Sequence, residues 1–439
     1  MRTEKPKSNS VSRRTFLKTS ALTGTVLYGA SHVFAAGSET IRVGLIGCGG
    51  RGTGAGIIDC AESSPGVELV AMGDLFRDHL ESAPKRIKAN LRKRNLPVDE
   101  IYKVKKDHMF YGFDAYQKVI DCDVDMIILT TPPAFRPLHF RAAVEAGKHV
   151  FMEKPVAVDP VGIRSVIETS KLAEQKGLTV VAGTQMRRLE PMRQIIQRLH
   201  DGAVGEIISG QVVRTGGAMR TWREGEKVKQ DEWSEMEYQI RRWLFWTWLS
   251  GDFIVEMHVH NLDIMNWVVG SPPISCMAVG GRQVRTDPEF GNVFDHFSAE
   301  YSYPNDIKVL YVGTQIDEYT YRNDERVQGT AGSAYLDFGN AVITGENAWK
   351  YEGTHPNPAV QEYAEMIDSI RNSKAINEGV QVAQSTMTAI MGRMSAYTGR
   401  ELKWDWVMNA SELDLSPQSW EFGDGAGRPV ALPGVTELL

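Results

Sequence analysis

Short apolar runs alternate with amphipathic stretches through the first half of the chain. The apolar runs predict strands at residues 41–46, 67–72, 125–129, 149–152 and 179–182. Between the later runs, apolar residues recur at helical spacing over 137–146 and 160–175. Strands that alternate with helices are typical of a parallel, doubly wound sheet, so residues 38–183 are predicted to form an α/β domain.

The pattern changes after about residue 206, where apolar and polar positions alternate with a period of two. Strands of this kind are predicted at residues 207–213, 274–279, 297–301 and 307–311. Burial of one face is typical of an open, mainly antiparallel sheet backed by helices, so residues 184–415 are predicted to form an α+β domain. Two late helices, near 359–371 and 380–397, are expected to pack back on the first domain. The tail at 416–439 is expected to be irregular, and one hypothesis places it over a neighbouring subunit.

The first predicted strand runs directly into a glycine-rich loop, Gly47-Cys48-Gly49-Gly50-Arg51-Gly52. A G-x-G-x-x-G pattern between a strand and a helix predicts a site for a dinucleotide pyrophosphate. Gly47 permits the tight turn, Gly49 leaves room for the phosphates, and Gly52 lets the helix approach the strand. Gly50 completes the predicted phosphate loop, whose free N–H groups lie at a helix N-terminus.

Three residues at the ends of predicted strands are further candidates for cofactor contacts. Asp74 ends the second strand about 22 positions after Gly52, where this fold places a carboxylate for the adenosine ribose hydroxyls. This carboxylate favours NAD, although nearby Arg77 keeps NADP open because an arginine can bind a 2′-phosphate. Thr131 and Glu153 follow later strands at the same predicted edge of the sheet.

Glu153-Lys154-Pro155 follows the strand at 149–152, at the carboxyl edge where ligands bind in such sheets. The ammonium of Lys154 can hydrogen-bond a substrate hydroxyl, stabilise a developing alkoxide and relay a proton. We therefore predict a catalytic role for Lys154, against the simpler interpretation of a solvated charge.

A second polar group, Glu256, His258 and His260, leads into an apolar helix. Glu256 and His260 are four residues apart and would share a helical face, with His260 as the base and Glu256 orienting it. In an extended segment all three side chains would lie on one side and could hold a metal. We predict no metal, because nicotinamide chemistry needs no Lewis acid and a fourth ligand would be remote. A histidine satisfied within the core is the remaining alternative.

Aromatic and charged residues before and after this segment are candidates for substrate contacts. Six of the ten tryptophans fall between Trp222 and Trp267, and aromatic faces pack against the C–H surfaces of sugars. The candidates for substrate contacts are Arg187, Tyr238, Trp243 and Asp263. Core packing and subunit contacts are expected to account for more than half of the tryptophans.

Several motifs together resemble the glucose-fructose oxidoreductase and inositol dehydrogenase family (Gfo/Idh/MocA). They are the glycine-rich loop, Ala146-Gly147-Lys148-His149-Val150, Glu153-Lys154-Pro155, His260-Asn261-Leu262-Asp263 and Gly329-Thr330-Ala331-Gly332. The resemblance implies a Rossmann domain followed by an α+β domain whose open sheet forms a homo-oligomer interface. It also implies NAD(P)-dependent chemistry on sugars or cyclitols.

The family's catalytic lysine maps to Lys154 and its catalytic histidine to His260. Glu256 stands where the family has an aspartate, and His258 stands where the family often has a small residue. These two departures leave the substrate open. Exported glucose-fructose oxidoreductases keep their nicotinamide cofactor tightly bound, which implies the same for this chain if it is exported.

The N-terminal residues predict export. Ser12-Arg13-Arg14-Thr15-Phe16-Leu17-Lys18 precedes a mildly apolar stretch and a small-residue cleavage region near residue 35, as in a twin-arginine signal at 1–35. We therefore expect a periplasmic or otherwise exported enzyme. The formal charge of −6, with basic residues concentrated in the signal, argues against nucleic acid or, after cleavage, a membrane as partner.

The leading hypothesis is an oxidoreductase that transfers hydride between a carbohydrate or cyclitol carbinol and a tightly held nicotinamide. The alternative is an NAD-dependent, redox-neutral glycoside hydrolase that acts through a transient keto-sugar and elimination, with His258 as the extra base. A binding protein without turnover is disfavoured by the retention of Lys154 and His260.

Overall fold

The computed structural model describes residues 40–217 and 229–439 of the chain. The predicted signal at 1–35 and Trp222 lie outside the described residues. Among the residues described, no helix is both long and apolar enough to cross a lipid bilayer.

The first sheet of the described chain has six parallel strands in the order β3-β2-β1-β4-β5-β6. Its strands are β1 (Ile41–Ile46), β2 (Val67–Asp74), β3 (Met109–Tyr111), β4 (Met126–Leu129), β5 (His149–Met152) and β6 (Val180–Ala182). Its helices are α1 (Ile57–Ser63), α2 (Arg77–Lys93), α3 (Val98–Ile101), α4 (Ala115–Ile120), α5 (Arg136–Glu145) and α6 (Pro160–Gln175). This strand order is that of a dinucleotide-binding Rossmann sheet, which confirms the predicted fold class.

Burial explains why these strands read as continuous apolar runs. Val43, Leu45, Ile127 and Ile128 are all fully buried, although neighbouring side chains in a strand point to opposite faces. Helices cover both faces of the sheet, so neither face selects polar residues.

The second sheet, within the described residues, has nine strands in the order β14-β13-β12-β11-β7-β10-β9-β8-β15. They are β7 (Ile207–Thr215), β8 (Ser275–Gly281), β9 (His296–Ser302), β10 (Lys308–Thr314), β11 (Arg322–Gly329), β12 (Gly332–Asp337), β13 (Ala341–Gly345), β14 (Trp349–Lys350) and β15 (Leu402–Lys403). Strands β7 and β10 pair in parallel, whereas the other pairs are antiparallel. The predicted open, mainly antiparallel sheet is therefore confirmed.

The remaining helices follow the chain through and beyond this sheet. They are α7 (Glu190–His200), α8 (Glu235–Arg241), α9 (Thr247–Ser250), α10 (Phe253–Glu256), α11 (Val259–Val269), α12 (Pro358–Arg371), α13 (Gly379–Thr398) and α14 (Trp404–Asn409). One sheet face buries Val309 and Tyr311 completely, while Leu310 between them is 50% exposed on the other face. This alternation is why the sequence reads with a period of two.

The late helices return to the first domain. Helix α12 contacts α1, and α13 contacts α6. Tyr363 of α12 stacks on Phe151 of β5, with ring centroids 4.1 Å apart. The two domains therefore share packed surfaces close to the end of β5.

The tail after residue 415 is irregular and packs on its own chain. The ring of Trp420 lies 4.7 Å from that of Phe135, and the ring of Phe422 lies 5.0 Å from that of Phe113. Both partners belong to the first domain. These contacts give no support to the hypothesis of an arm over a neighbouring subunit.

Candidate active site

The glycine-rich loop has the geometry that a dinucleotide site requires. Gly47 has a φ of +100°, and a Cβ on Gly52 would lie 2.0 Å from the Gly47 carbonyl oxygen. By contrast, a Cβ on Gly49 or Gly50 would meet no atom within 4 Å, so the space beside the loop is open. The loop leads through a single π-helical turn, Gly52–Gly56, into α1. These residues fit a bound pyrophosphate at a helix N-terminus.

Asp74 holds the loop to the end of β2. Its Oδ2 atom accepts a hydrogen bond from the Cys48 N–H at 2.6 Å, and its Oδ1 atom accepts from the Phe76 N–H at 2.8 Å. Each carboxylate oxygen has a second lone pair, so both remain able to accept from ribose hydroxyls. Arg77 is an exposed residue whose Nε atom donates to Glu81 at 2.9 Å. The ribose contact of Asp74 stays a prediction.

Arg51 lies in the loop and makes a contact that the motif did not indicate. Its Nε atom lies 2.5 Å from Oε1 of the buried Glu153 carboxylate. The charge of Glu153 is the largest influence on Arg51 and raises the pKa of its guanidinium. The ion pair ties the glycine-rich loop to the end of β5, where Glu153-Lys154-Pro155 begins.

Thr131 lies at the same edge of the sheet, after β4. Its carbonyl oxygen accepts a hydrogen bond from Nη2 of Arg136 at 2.7 Å, and its hydroxyl lies 3.4 Å from Nδ1 of His139. Burial lowers the pKa of Arg136 to about 10. These contacts fix the backbone beside the loop, and a direct contact of Thr131 with cofactor stays a prediction.

Lys154 makes one of the polar contacts between the two domains. Its Nζ atom donates to the carbonyl oxygen of Glu256 at 2.5 Å and lies 3.2 Å from Oε1 of the same residue. Burial lowers the pKa of the Lys154 ammonium, and the Glu256 and Glu153 carboxylates oppose that shift. A buried amine held at the carboxyl edge of the sheet is suited to proton handling there.

His260 lies in the first turn of α11, and its role as a base stays a prediction. Its Nδ1 atom is buried and has no hydrogen-bond partner among the described residues. Burial, together with the nearby charges of Lys154 and Arg214, holds the pKa of its imidazole well below the ordinary value. The ring is therefore neutral at pH 7.

Glu256 and His260 are carried by two consecutive helices rather than by one. Glu256 ends α10, and His260 lies in the first turn of α11. Arg214 on β7 fixes the junction, because its Nη1 atom donates to the Met257 carbonyl at 2.8 Å and to Asn261 Oδ1 at 3.0 Å. Sequence reasoning missed Arg214, which precedes Met257 by 43 residues along the chain.

His258 lies in the core of the second domain. It is 1% exposed, and its Nδ1 atom is 2.6 Å from the hydroxyl of Tyr311 on β10. Its ring packs edge-on against Phe253, with centroids 5.0 Å apart. This geometry favours the satisfied core histidine and gives no support to His258 as an extra base.

Glu256 and His258 also diverge, since one contacts Lys154 and the other Tyr311. Within the part of the chain that the structure describes, no group of three or more His, Cys, Asp and Glu side chains is arranged to hold a metal.

Arg187 and Asp263 pair with each other. Nε and Nη2 of Arg187 donate to the two carboxylate oxygens of Asp263 at 2.8 and 2.9 Å. Asp263 is 1% exposed and also accepts from Gln381 and Ser385, each at 2.6 Å. Asp263 thus joins α11 both to α13 and to the turn after β6 that carries Arg187, so the structure favours a packing role for both residues over the predicted substrate contact.

Tyr238 and Trp243 lie near one another in the chain, in and after α8. Both are partly buried. Trp243 packs against a hydrophobic cluster that includes Phe76, Phe135 and Trp248. This packing favours a structural role for Trp243, whereas the substrate contact of Tyr238 stays a prediction.

Family comparisons agree with the two-domain architecture. Residues 41–184 match the GFO_IDH_MocA family model, described as an oxidoreductase family with an NAD-binding Rossmann fold. Residues 192–335 match the GFO/IDH/MocA C-terminal domain. The chain belongs to the GFO/IDH/MocA oxidoreductase family. Its cofactor class is therefore a nicotinamide dinucleotide.

Individual relatives share only about a quarter of their residues with this chain in the matched regions. The chain is 26% identical over 188 residues to 2,7-anhydro-N-acetylneuraminate hydratase of Escherichia coli, covering 43% of this chain and 44% of that protein. It is 27% identical over 207 residues to a glycosyl hydrolase family 109 protein of Streptomyces coelicolor, covering 46% of this chain and 39% of that protein. The chain thus spans less than half the length of these two curated relatives.

A solved structure shares the fold over most of the chain. The aldose-aldose oxidoreductase of Caulobacter crescentus superposes with a TM-score of 0.62 at 18% sequence identity. The match covers 83% of this chain and 99% of that chain. The similarity shows the same two-domain fold.

Proposed function

We propose that this protein is an NAD(P)-dependent oxidoreductase acting on a secondary hydroxyl of a sugar or cyclitol, with the nucleotide tightly bound. The observation that carries the proposal is the contact of Lys154 Nζ with Glu256 Oε1 at 3.2 Å, beside the open glycine-rich loop. This contact joins the nucleotide domain to the segment that carries His260. The proposed site thus combines the amine of Lys154 with the neutral imidazole of His260.

The proton chemistry follows from these two side chains. Lys154 donates a hydrogen bond to the substrate hydroxyl oxygen and stabilises the negative charge that develops on it. The neutral ring of His260 accepts the proton that leaves this hydroxyl. Glu256 positions the Lys154 ammonium. A bound nicotinamide ring supplies the two-electron acceptor that carbinol oxidation requires.

The hydrogen bonds of Asp74 support NAD as the cofactor. A 2′-phosphate on the adenosine ribose would bring negative charge next to this buried carboxylate. Arg77 is engaged with Glu81 on the surface. Mass spectrometry of nucleotide released from the denatured protein tests the choice: NAD is expected, and NADP would contradict it.

Turnover tests the oxidoreductase directly. A panel of sugars, cyclitols and sugar acids is incubated with the purified holoprotein, and nicotinamide absorbance is followed. At least one compound is expected to change the absorbance, and the reverse change is expected with the corresponding ketone. A nucleotide-loaded protein that responds to no compound would contradict the proposal.

A redox-neutral glycosidase is the second candidate, favoured by the similarity to the glycosyl hydrolase family 109 protein of S. coelicolor. In this reaction a transient ketone acidifies the neighbouring C–H, the aglycone leaves, water adds, and hydride returns to the sugar. Release of an aryl alcohol without added nucleotide, with solvent deuterium at C2 of the product, would favour it. The buried position of His258 means that another group would have to act as the extra base.

We also propose export through the twin-arginine pathway, supported by residues 12–18 and by the case for a retained cofactor. N-terminal sequencing of the exported protein is expected to begin near Ala36. An intact Met1 in the exported protein would contradict this proposal.

The exposed sheet face supports a homo-oligomer. Ile208, Val279 and Leu310 are each at least half exposed on the second sheet. Apolar side chains on an open sheet are suited to self-association. Light scattering is expected to give a mass above that of one chain, and Leu310→Glu is expected to lower it; a wild-type monomer would contradict the proposal.

A further inference from the structure

Arg285, in the segment between β8 and β9, is a buried arginine with most of its donors unused. It is 5% exposed, and its Nε and Nη2 atoms have no hydrogen-bond partner among the described residues. Its Nη1 atom donates only to Gln315, at 3.2 Å to Oε1 and 3.3 Å to the carbonyl oxygen. A buried guanidinium normally has a full set of partners, so these two donors are available to a ligand or to water.

Arg285 shares a cavity with Glu256 of the candidate active site. Arg285, Gln315 and Glu256 line one small cavity, with the walls completed by Leu244, Phe245, Phe253 and Val293. The cavity volume is about 10 Å³, close to that of one water molecule, so the lining side chains must move apart to admit a carboxylate. Because Glu256 also contacts Lys154, a substrate whose carbinol reaches Lys154 could place a neighbouring group in this cavity.

Among the described residues, no carboxylate is bonded directly to Arg285. The surrounding charged groups are Asp252, Asp295, Asp317 and Arg282. Asp252 accepts from the Phe253 and Phe294 N–H groups and from the Tyr397 hydroxyl. Asp295 accepts from three backbone N–H groups of residues 283–285 and contacts His296. Phe245 and Phe290 lie against the guanidinium, with ring centroids 5.1 and 4.7 Å from its carbon.

The positions of the two free N–H donors indicate which chemical group Arg285 would bind. Nε and Nη2 lie on the same edge of a guanidinium, where they bind both oxygens of a carboxylate in parallel. The same chain uses this pair of atoms to bind Asp263 through Arg187. A single hydroxyl would satisfy one of the donors and would leave the positive charge uncompensated.

We propose that Arg285 binds the carboxylate of the substrate, which makes the substrate an acidic sugar such as a uronic or aldonic acid. The proposal rests on the oxidoreductase function proposed above. Lys154 and His260 would then face a carbinol of the same molecule. Lys154 neutralises Glu256, so the Glu256 carboxylate does not exclude a second anion from the cavity.

Matched substrates test the proposal in the wild-type holoenzyme. D-glucuronate is compared with D-glucose, and D-galacturonate with D-galactose, by kcat/KM from nicotinamide absorbance. We expect the acid of at least one pair to be preferred by about 10- to 100-fold, the usual range for a buried hydrogen bond to a charged group. Equal use of both members, or preference for the neutral sugars, would overturn the proposal.

Two variants assign the preference to Arg285. Arg285→Gln is expected to remove it by raising KM for the acid while leaving the neutral sugar nearly unchanged. Arg282→Gln is the matched control, because Arg282 lies in the same segment but donates to the backbone carbonyls of Asp287 and Gly291. An Arg285→Gln variant that folds and keeps the acid preference would contradict the proposal. If that variant does not fold, Arg285→Lys, which keeps the charge and loses the parallel donors, is expected to weaken the preference.

Calorimetry separates failure of this proposal from failure of the proposed function. If no carbohydrate changes the nicotinamide absorbance, the oxidoreductase function fails. Titration of the holoprotein with D-glucuronate and with D-glucose then still tests Arg285: tighter binding of the acid supports the proposal, and equal or absent binding of both overturns it.

Discussion

The nucleotide side and the substrate side of the candidate site differ in how their buried charges are satisfied. Around the glycine-rich loop, Asp74 accepts two backbone N–H groups and Glu153 pairs with Arg51. In the second domain, His260 Nδ1 and two nitrogens of Arg285 have no partner among the described residues. Unpaired buried polar groups are costly, and they persist where a ligand completes them. Bonds within the protein therefore hold the two carboxylates beside the glycine-rich loop, although Nε of Arg136 has no partner among the described residues. The second domain leaves hydrogen bonds of His260 and Arg285 for the substrate to complete.

The largest expected effect is the loss of turnover when Lys154, which contacts Glu256 of the second domain, is replaced. Lys154→Ala is expected to lower kcat by about 10²- to 10⁴-fold, because the proton-handling amine is lost. Nucleotide content, measured after denaturation, should stay at the wild-type level. Lys148→Ala is the control, since Lys148 donates to the Val124 carbonyl at the opposite end of β5. Wild-type turnover in Lys154→Ala would remove Lys154 from the mechanism.

The next largest effect concerns the ion pair between Arg51 and Glu153 beside the glycine-rich loop. Arg51→Ala leaves the buried Glu153 carboxylate without its ion pair, so the free energy of unfolding should fall by about 1–3 kcal/mol. Nucleotide retention should weaken with it, because the ion pair anchors the glycine-rich loop. Denaturant unfolding and nucleotide release measure the two effects. Arg77→Ala, which removes an exposed pair with Glu81, is expected to change stability by less than about 1 kcal/mol. Equal losses in the two variants would contradict this account.

A smaller effect tests whether His258 belongs to the core. Tyr311→Phe removes the hydroxyl that contacts His258 Nδ1 and should lower the free energy of unfolding by about 1 kcal/mol. If His258 only supports packing, kcat should remain near the wild-type value. A large fall in kcat with unchanged stability would instead favour a catalytic role for His258.

The smallest effect is a shift in pH dependence. The Glu256 carboxylate raises the pKa of Lys154, so Glu256→Gln should lower that pKa further. The limb of the kcat/KM profile that reports Lys154 should therefore move to lower pH, whether the amine acts protonated or deprotonated. Glu145→Gln, on the exposed side of α5, is the control and should leave the profile in place. A shift to higher pH would contradict the assigned contact.

Elements with a clear apolar period were predictable from the sequence. The α/β domain, the glycine-rich loop and helix α6 follow from local residue patterns, and the loop geometry at Gly47 and Gly52 agrees with the motif. Strand β3 was missed because it is only three residues long, and β11 was missed because its apolar signal is weak. Strand β11 reads Arg-Asn-Asp-Glu-Arg-Val-Gln-Gly, and its buried Glu325 bonds to Asn261. A sequence pattern alone treats such a segment as solvent-exposed.

Pairings between distant residues explain what the sequence could not indicate about the site. His258 lies 53 residues from Tyr311, and Arg187 lies 76 residues from Asp263. Each of these residues alone is a reasonable candidate for catalysis or substrate binding. Only the structure shows whether its hydrogen-bonding groups are already paired within the protein. The same applies to Arg285, which no motif indicates and which stands out only because its partners are few.

A crystal structure of the protein with its retained nucleotide tests the central claim most directly. The account predicts a nicotinamide ring at the carboxyl edge of the first sheet, with Lys154 Nζ and the His260 ring facing its reactive carbon across a space the size of one sugar. A nucleotide bound with its nicotinamide ring away from both side chains would contradict the account.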